Sequence, residues 1–303
     1  MQKRIPLFVV VMIVACLSTS AAIASGPYGA PMSLLEHGQW AWDVGYAYEE
    51  LDVFGCIGFD ETYAYWEGED WGDPYRYGWE ECFRVTDLET QAALASIEYG
   101  LCDNWDIFFR LGMAKAEGDI AWRDWYDTGE DYIPYWFKES ADFDWGLAWQ
   151  VGTNFTICQQ GPWTWGGRMQ FGMADPDSDS WTYRDSEDEY EWTETCSADI
   201  EMYQALAYIG PSYQPSDTWL LYSGIGWQCV HVTMDYNCRG VEYEGEELYE
   251  RWSEDGSGKL KHYSAIGLFG AAWMPNDKAR VSADVLIGEA GKVGWSIIGQ
   301  FPF

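Results

Sequence analysis

Three histidines, one run of alternating carboxylates and a set of cysteines are the residues of this 303-residue chain whose types and spacing could do chemistry. His37, His231 and His262 are its only imidazoles, the side chains that titrate near neutral pH. His231 and His262 flank the segment 233–260 and could meet near carboxylates such as Asp235. No catalytic motif accompanies them, so no catalytic residue is assigned. Asp175-Pro-Asp177-Ser-Asp179 presents alternating carboxylates like the opening of a calcium loop. It lacks the Gly at position six and the Glu at position twelve of an EF-hand, so loop-bound calcium or magnesium is the only cofactor expectation. Gly256-Ser-Gly258-Lys259 is followed by Leu260 and has no apolar strand before it, which rejects a phosphate loop.

Of the eight cysteines, Cys16 falls in an N-terminal leader. The others offer the pairs Cys56 with Cys82, Cys102 with Cys158, and Cys196 with Cys238, leaving Cys229 as the odd thiol. Spacing alone does not fix the connectivity. There is no CxxC pair, so disulfides in an oxidising compartment are favoured over metal binding.

That compartment is indicated by the leader. Gln2-Lys3-Arg4, the apolar run Ile5–Leu17 and the small residues Ala22-Ile23-Ala24 predict a secretory signal peptide over 1–24. A second reading takes Ile13-Val14-Ala15-Cys16 as a lipoprotein box with lipid on Cys16. Charge and composition limit the rest. Seventeen Lys+Arg against 50 Asp+Glu give −33, which excludes a nucleic-acid binder. The hydrophobic fraction of 48% excludes an acidic disordered tail. The 20 Trp and 21 Tyr suit boundaries between apolar and wet surroundings.

The elements that must position these residues are strands. Over 39–49, Trp40, Trp42, Val44, Tyr46 and Tyr48 share one face and Asp43 lies on the other, a period of two. The same alternation predicts strands near 105–113, 143–155, 163–173, 219–229, 279–287 and 293–303. Others are expected near 91–99, 200–212 and 262–273, the last two without a settled facing. Short turns rich in Gly, Pro, Asn and Asp alternate with four long connections, 52–90, 116–142, 174–199 and 233–260, which hold most of the acidic residues. This rhythm predicts an all-β fold: a transmembrane antiparallel up-and-down β-barrel of about ten strands, with short periplasmic turns and four long extracellular loops. The apolar faces carry no charge, whereas the opposite faces carry Asp43, Asp106, Arg110, Arg168, Gln170, Arg280 and Asp284, a polar lumen in which the arginines are expected to pair with the aspartates. The expected organisation is a leader over 1–24, a periplasmic N-terminal segment over 25–38 and a barrel over 39–303.

The chain stops on Val293-Gly-Trp295-Ser-Ile297-Ile-Gly299-Gln-Phe301-Pro-Phe303. Alternating apolar residues ending on Phe resemble the sorting signature of bacterial outer-membrane β-barrel proteins, with Trp295, Ile297, Phe301 and Phe303 as the assembly signal. Pro302 departs from the pattern, since it cannot donate to a ladder. The resemblance implies a bacterial outer-membrane location, with membrane lipid and the barrel-assembly machinery as partners. The function expected is non-enzymatic, in envelope architecture or surface interaction, with no nucleic acid involved. The alternatives are a narrow cation-preferring channel and, third, a rim-site enzyme.

Overall fold

The computed structural model describes residues 26–65, 72–127, 132–187, 190–244, 247–276 and 278–303. The leader 1–24, including Cys16, lies outside them. Eleven antiparallel strands form one sheet. They are β1 (Trp40–Tyr65), β2 (Tyr75–Cys102), β3 (Trp105–Asp127), β4 (Tyr132–Gln160), β5 (Trp163–Asp177), β6 (Asp179–Glu187), β7 (Tyr190–Ser216), β8 (Trp219–Glu244), β9 (Glu247–Asn276), β10 (Ala279–Ile287) and β11 (Val293–Pro302). Each strand pairs with the next in sequence, except that β5 pairs with β7 and not with β6, and β1 closes the ring on β11. β6 continues β5 beyond Ser178 along the same neighbour, β7. The ring therefore has ten staves. Closure leaves the ten-strand region without an open edge, the condition for strands in lipid.

The short turns follow the expected chemistry. Asp103-Asn104, Gly161-Pro162 and Asp217-Thr218 each reverse the chain in two residues, and Gly161 takes a positive φ of 60° that a side chain would resist. At the other end the four long connections run largely as strand. β1 continues to Tyr65 and β2 returns from Tyr75, with Cys56 opposite Cys82 in register. β7 and β8 likewise continue upward as a ladder, with Cys196 opposite Cys238. Alternation persists through these segments, but their acidic outer faces hide it from a search for apolar runs.

β10 and β11 are shorter than their neighbours. Above the turn that joins them, β1 pairs directly with β9, from Phe54 opposite Lys261 to Tyr65 opposite Glu250. Lys292 in that turn reaches Glu50 at 2.6 Å and Asp52 at 3.2 Å, fixing the hairpin tip to β1.

One facing differs from expectation. Strict alternation over 143–155 puts Phe143 on the apolar outer face with Trp145 and Leu147, but it lies inside, 4% exposed. Ala114 pairs with Gly146 and Ala116 with Phe143, so β4 carries an extra residue there. Such a bulge reverses the facing of everything beyond it. The two unsettled strands are now assigned: Met202, Gln204, Leu206 and Tyr208 point inward on β7, as do Ser264, Ile266 and Leu268 on β9.

Candidate functional site

The outside of the ten-strand region is apolar on every side. Val44, Ile97, Phe109, Leu111, Leu147, Ile209, Leu221, Phe269, Val285 and Ile297 are all exposed, and Ile225 is 73% exposed. Trp40, Trp42, Trp163, Trp165, Trp219 and Trp273 ring the short-turn end. The nine residues of β10 span about 30 Å along the strand, and tilt reduces that to roughly the 25 Å apolar band of such proteins. Charge lies within. The chain has the fold of an outer-membrane β-barrel.

No protein-family model matches the barrel, and no curated protein matches it. Among solved structures it is similar to the attachment invasion locus protein Ail of Yersinia pestis (10% identity, TM-score 0.28, covering 88% of this chain and 99% of that one). It is also similar to the toluene transporter TbuX of Ralstonia pickettii (10%, 0.30, 94% and 94%). A FadL homologue of Pseudomonas aeruginosa is a third (9%, 0.32, 93% and 99%).

The barrel's lumen is occupied by its own N-terminal segment. Residues 26–30 are fully enclosed, and the chain runs down the lumen to Gly38 before turning back into β1. The segment expected to lie outside, on the periplasmic side, thus enters the barrel instead. Its backbone finds partners on distant strands. Tyr28 N donates to Ser296 Oγ at 3.1 Å, and Leu34 N donates to Asp106 Oδ2 at 2.8 Å. Arg110 Nη1 donates to Pro27 O at 2.5 Å, and Tyr208 Oη to Gly29 O at 2.7 Å. A backbone stretch without ladder partners must be satisfied by side chains when buried, and these supply the need.

Asp43, Asp106, Arg110, Arg168, Gln170 and Asp284 are all buried inside, and Arg280 is half-buried beside them. The expected three-fold pairing reduces to one ion pair, Arg110 with Asp43 at 3.3 Å. Arg168 instead donates to Asn154 at 3.1 Å and Gln170 at 3.0 Å, while Arg280 donates to Gln300 at 2.7 Å. Arg110 and Arg168 also lie over the Phe108 ring, 4.6 and 4.3 Å from its centroid. Asp284 accepts from Ser296 at 2.9 Å and from Tyr222. Two buried carboxylates were missed. Glu98 accepts from Gln300, and Glu49 accepts from Gln204 at 3.1 Å and Gln228 at 2.5 Å. Glu49 was already on the inner face of the first strand by alternation. Glu98 needed a register for 91–99.

Above Glu49 the interior changes character. Leu51, Val53, Ile57, Phe59, Val85, Leu88, Ile120, Phe143, Ile200, Val232, Met234 and Leu260 form one apolar core. Residues from seven strands close on a gap of only about 20 Å³ at this level.

The remaining candidates resolve as follows. Cys56–Cys82 and Cys196–Cys238 are disulfides, whereas Cys102 and Cys158 are free thiols near two different short turns, as is Cys229 on β8. Asp175 and Asp177 end β5 and Asp179 begins β6, on extended backbone rather than in a loop, and they do not converge. Asp179 is already engaged by the Asp142 amide at 3.1 Å. Among the described residues the one convergent set is Glu194, Cys196 and Cys238, whose sulfurs are joined to each other. His231 bonds the Tyr263 hydroxyl at 2.8 Å, and His37 bonds the Leu101 carbonyl at 2.8 Å at the rim. On β11, Trp295 and Ile297 face outward and Phe303 is exposed, its amide bonded to Trp40 O at 2.8 Å.

Proposed function

We propose that this chain is a closed, non-enzymatic barrel of the bacterial outer membrane that works through its extended outer end, in envelope architecture or surface interaction. The observation that carries this reading is the occlusion of the lumen at two heights. The N-terminal segment fills the polar half, and an apolar core fills the half above it. Ten strands enclose little more than eight, whose interiors side chains fill, and far less than the sixteen of open pores. A cation channel requires a continuous wetted path, which this packing opposes. The extension is a cross-linked sheet whose apolar core gives way at its top to the inward carboxylates of Glu61, Glu81, Glu194 and Glu254, and whose exterior is acidic and aromatic, a surface suited to contact rather than passage. Export by the leader, insertion through the assembly machinery by way of β11, and contact with membrane lipid complete the proposal. The test is planar-bilayer recording of the purified protein. Silence under voltage is expected, and reproducible unitary current would overturn the reading in favour of the channel.

A further inference from the structure

In the lipid-facing part of the ring every strand has a neighbour on both sides, but the extension above it is not closed. The β4–β5 ladder ends at Asp144 opposite Asp177, whereas β3 and β4 run on together to Asp127 opposite Tyr132. β6 pairs with β7 along its whole length, from Asp179 opposite Ala198 to Glu187 opposite Tyr190. Among the described residues no ladder joins β6 to β4. At the base of the slot between them the Asp142 amide donates to Asp179 Oδ2 at 3.1 Å, a side chain standing where a ladder carbonyl would otherwise be. β6 is therefore an edge strand of nine residues, with every second N–H and C=O directed away from β7.

Free edges are commonly blunted by Pro or by a bulge, and β6 has neither. Ser180, Thr182 and Arg184 are exposed along it. On its other face Trp181 packs against the apolar core, and Tyr183 is 50% exposed beside Trp192.

Charge selects the partner. The stretches that border the slot, 132–144 and 175–187, hold eight Asp or Glu against Lys138 and Arg184 alone. The opposite edge of the extension is β2 above its last pair with β3, Arg84 with Ala121. It sets Glu80 and Glu81 against Arg76 and Arg84 and makes no such selection. A second copy of this chain, at −33, brings the same carboxylates to the slot and is repelled.

We propose that the β6 edge takes up an extended basic segment of a partner polypeptide as an added strand. The segment's backbone meets the free N–H and C=O groups, and its Lys or Arg side chains meet the carboxylates that border the slot. The proposal rests on the reading of the extension as a contact surface and names the chemistry of what it contacts.

The experiment uses the full barrel in detergent, with a decapeptide of alternating Lys and Thr as the probe. Hydrogen exchange should find every second amide of 179–187 unprotected in the free protein and protected when the peptide binds. The same peptide N-methylated at every residue keeps its charge and loses its donors, and should bind at least about tenfold more weakly. A peptide of alternating Glu and Thr should not bind. Ser180→Lys with Thr182→Lys, at two exposed positions, should weaken the basic peptide and leave the fold intact. Equal binding of the methylated or the acidic peptide, or protection elsewhere than β6, would overturn the added strand. So would a β6 already protected without peptide, which would mean that a second copy or the chain itself fills the edge. Unitary current in bilayers would remove the closed-barrel reading and leave peptide binding in place. A silent barrel that ignores the peptide would keep that reading and lose this one.

Discussion

Arg110, on the third strand, holds the carbonyl of Pro27 at 2.5 Å while its other terminal nitrogen meets Asp43 at 3.3 Å. One wall residue thus fastens the occupying segment and compensates a fully buried carboxylate. Arg110→Leu should therefore destabilise the barrel by about 3–5 kcal/mol, the range for breaking a buried pair from one side. Adding Asp43→Asn should restore part of that loss. Urea titration of both variants checks it, and an additive double mutant would mean that the pair contributes little.

Deleting residues 26–36 should lower stability, because Asp106, Ser296 and Arg110 lose their backbone partners. It should nevertheless leave the barrel without conductance, because the apolar core above Glu49 excludes water on its own. Stable current through this deletion would show that the N-terminal segment is the only seal.

Peptide mapping without reduction should recover Cys56 linked to Cys82 and Cys196 linked to Cys238, with Cys102, Cys158 and Cys229 alkylated. Replacing Cys196 and Cys238 by Ala removes a link of sequence separation 42 and should cost about 3–4 kcal/mol. Loss of protease resistance confined to 179–244 is the expected signature.

Glu254 stands opposite Glu61 across the β1–β9 ladder. Burial, followed by repulsion from Glu61, Glu194 and Glu81, pushes its carboxyl up to about 7. A raised folded value means the carboxyl is tolerated while protonated, below its ordinary value near 4. The penalty develops as pH climbs from there to about 7. Glu254→Gln should raise the melting midpoint at pH 8 and change little at pH 4. A gain of equal size at both would point to packing rather than charge.

The barrel was legible because lipid and lumen impose opposite demands on alternate residues, and Trp42-Asp43-Val44 already displays both. What lay between the clear strands was less legible, for physical reasons. Asp60, Glu80 and Asp199 make the extensions read as acidic loops, although Phe59, Phe83 and Ile200 continue the inward series beside them. Phe143 was misplaced because alternation carries no sign of a bulge. Gly26-Pro-Tyr-Gly-Ala-Pro reads as part of a periplasmic segment, since a stretch held by partners on β3, β7 and β11 has no local pattern to announce it. The arginines were found by facing, but their partners depend on cross-barrel register, which no single strand encodes.

Tyr28 is tied to Ser296 on the last strand and Leu34 to Asp106 on the third. Both ties can exist together only after the first and last strands have met, so the segment can be seated only in a finished ring. A barrel whose seam is still open cannot bury Tyr28, and it exposes residues 26–30. The N-terminal segment therefore acts as a record of completed assembly: a protease directed at residues 26–30 would count unfinished molecules and leave the finished ones untouched.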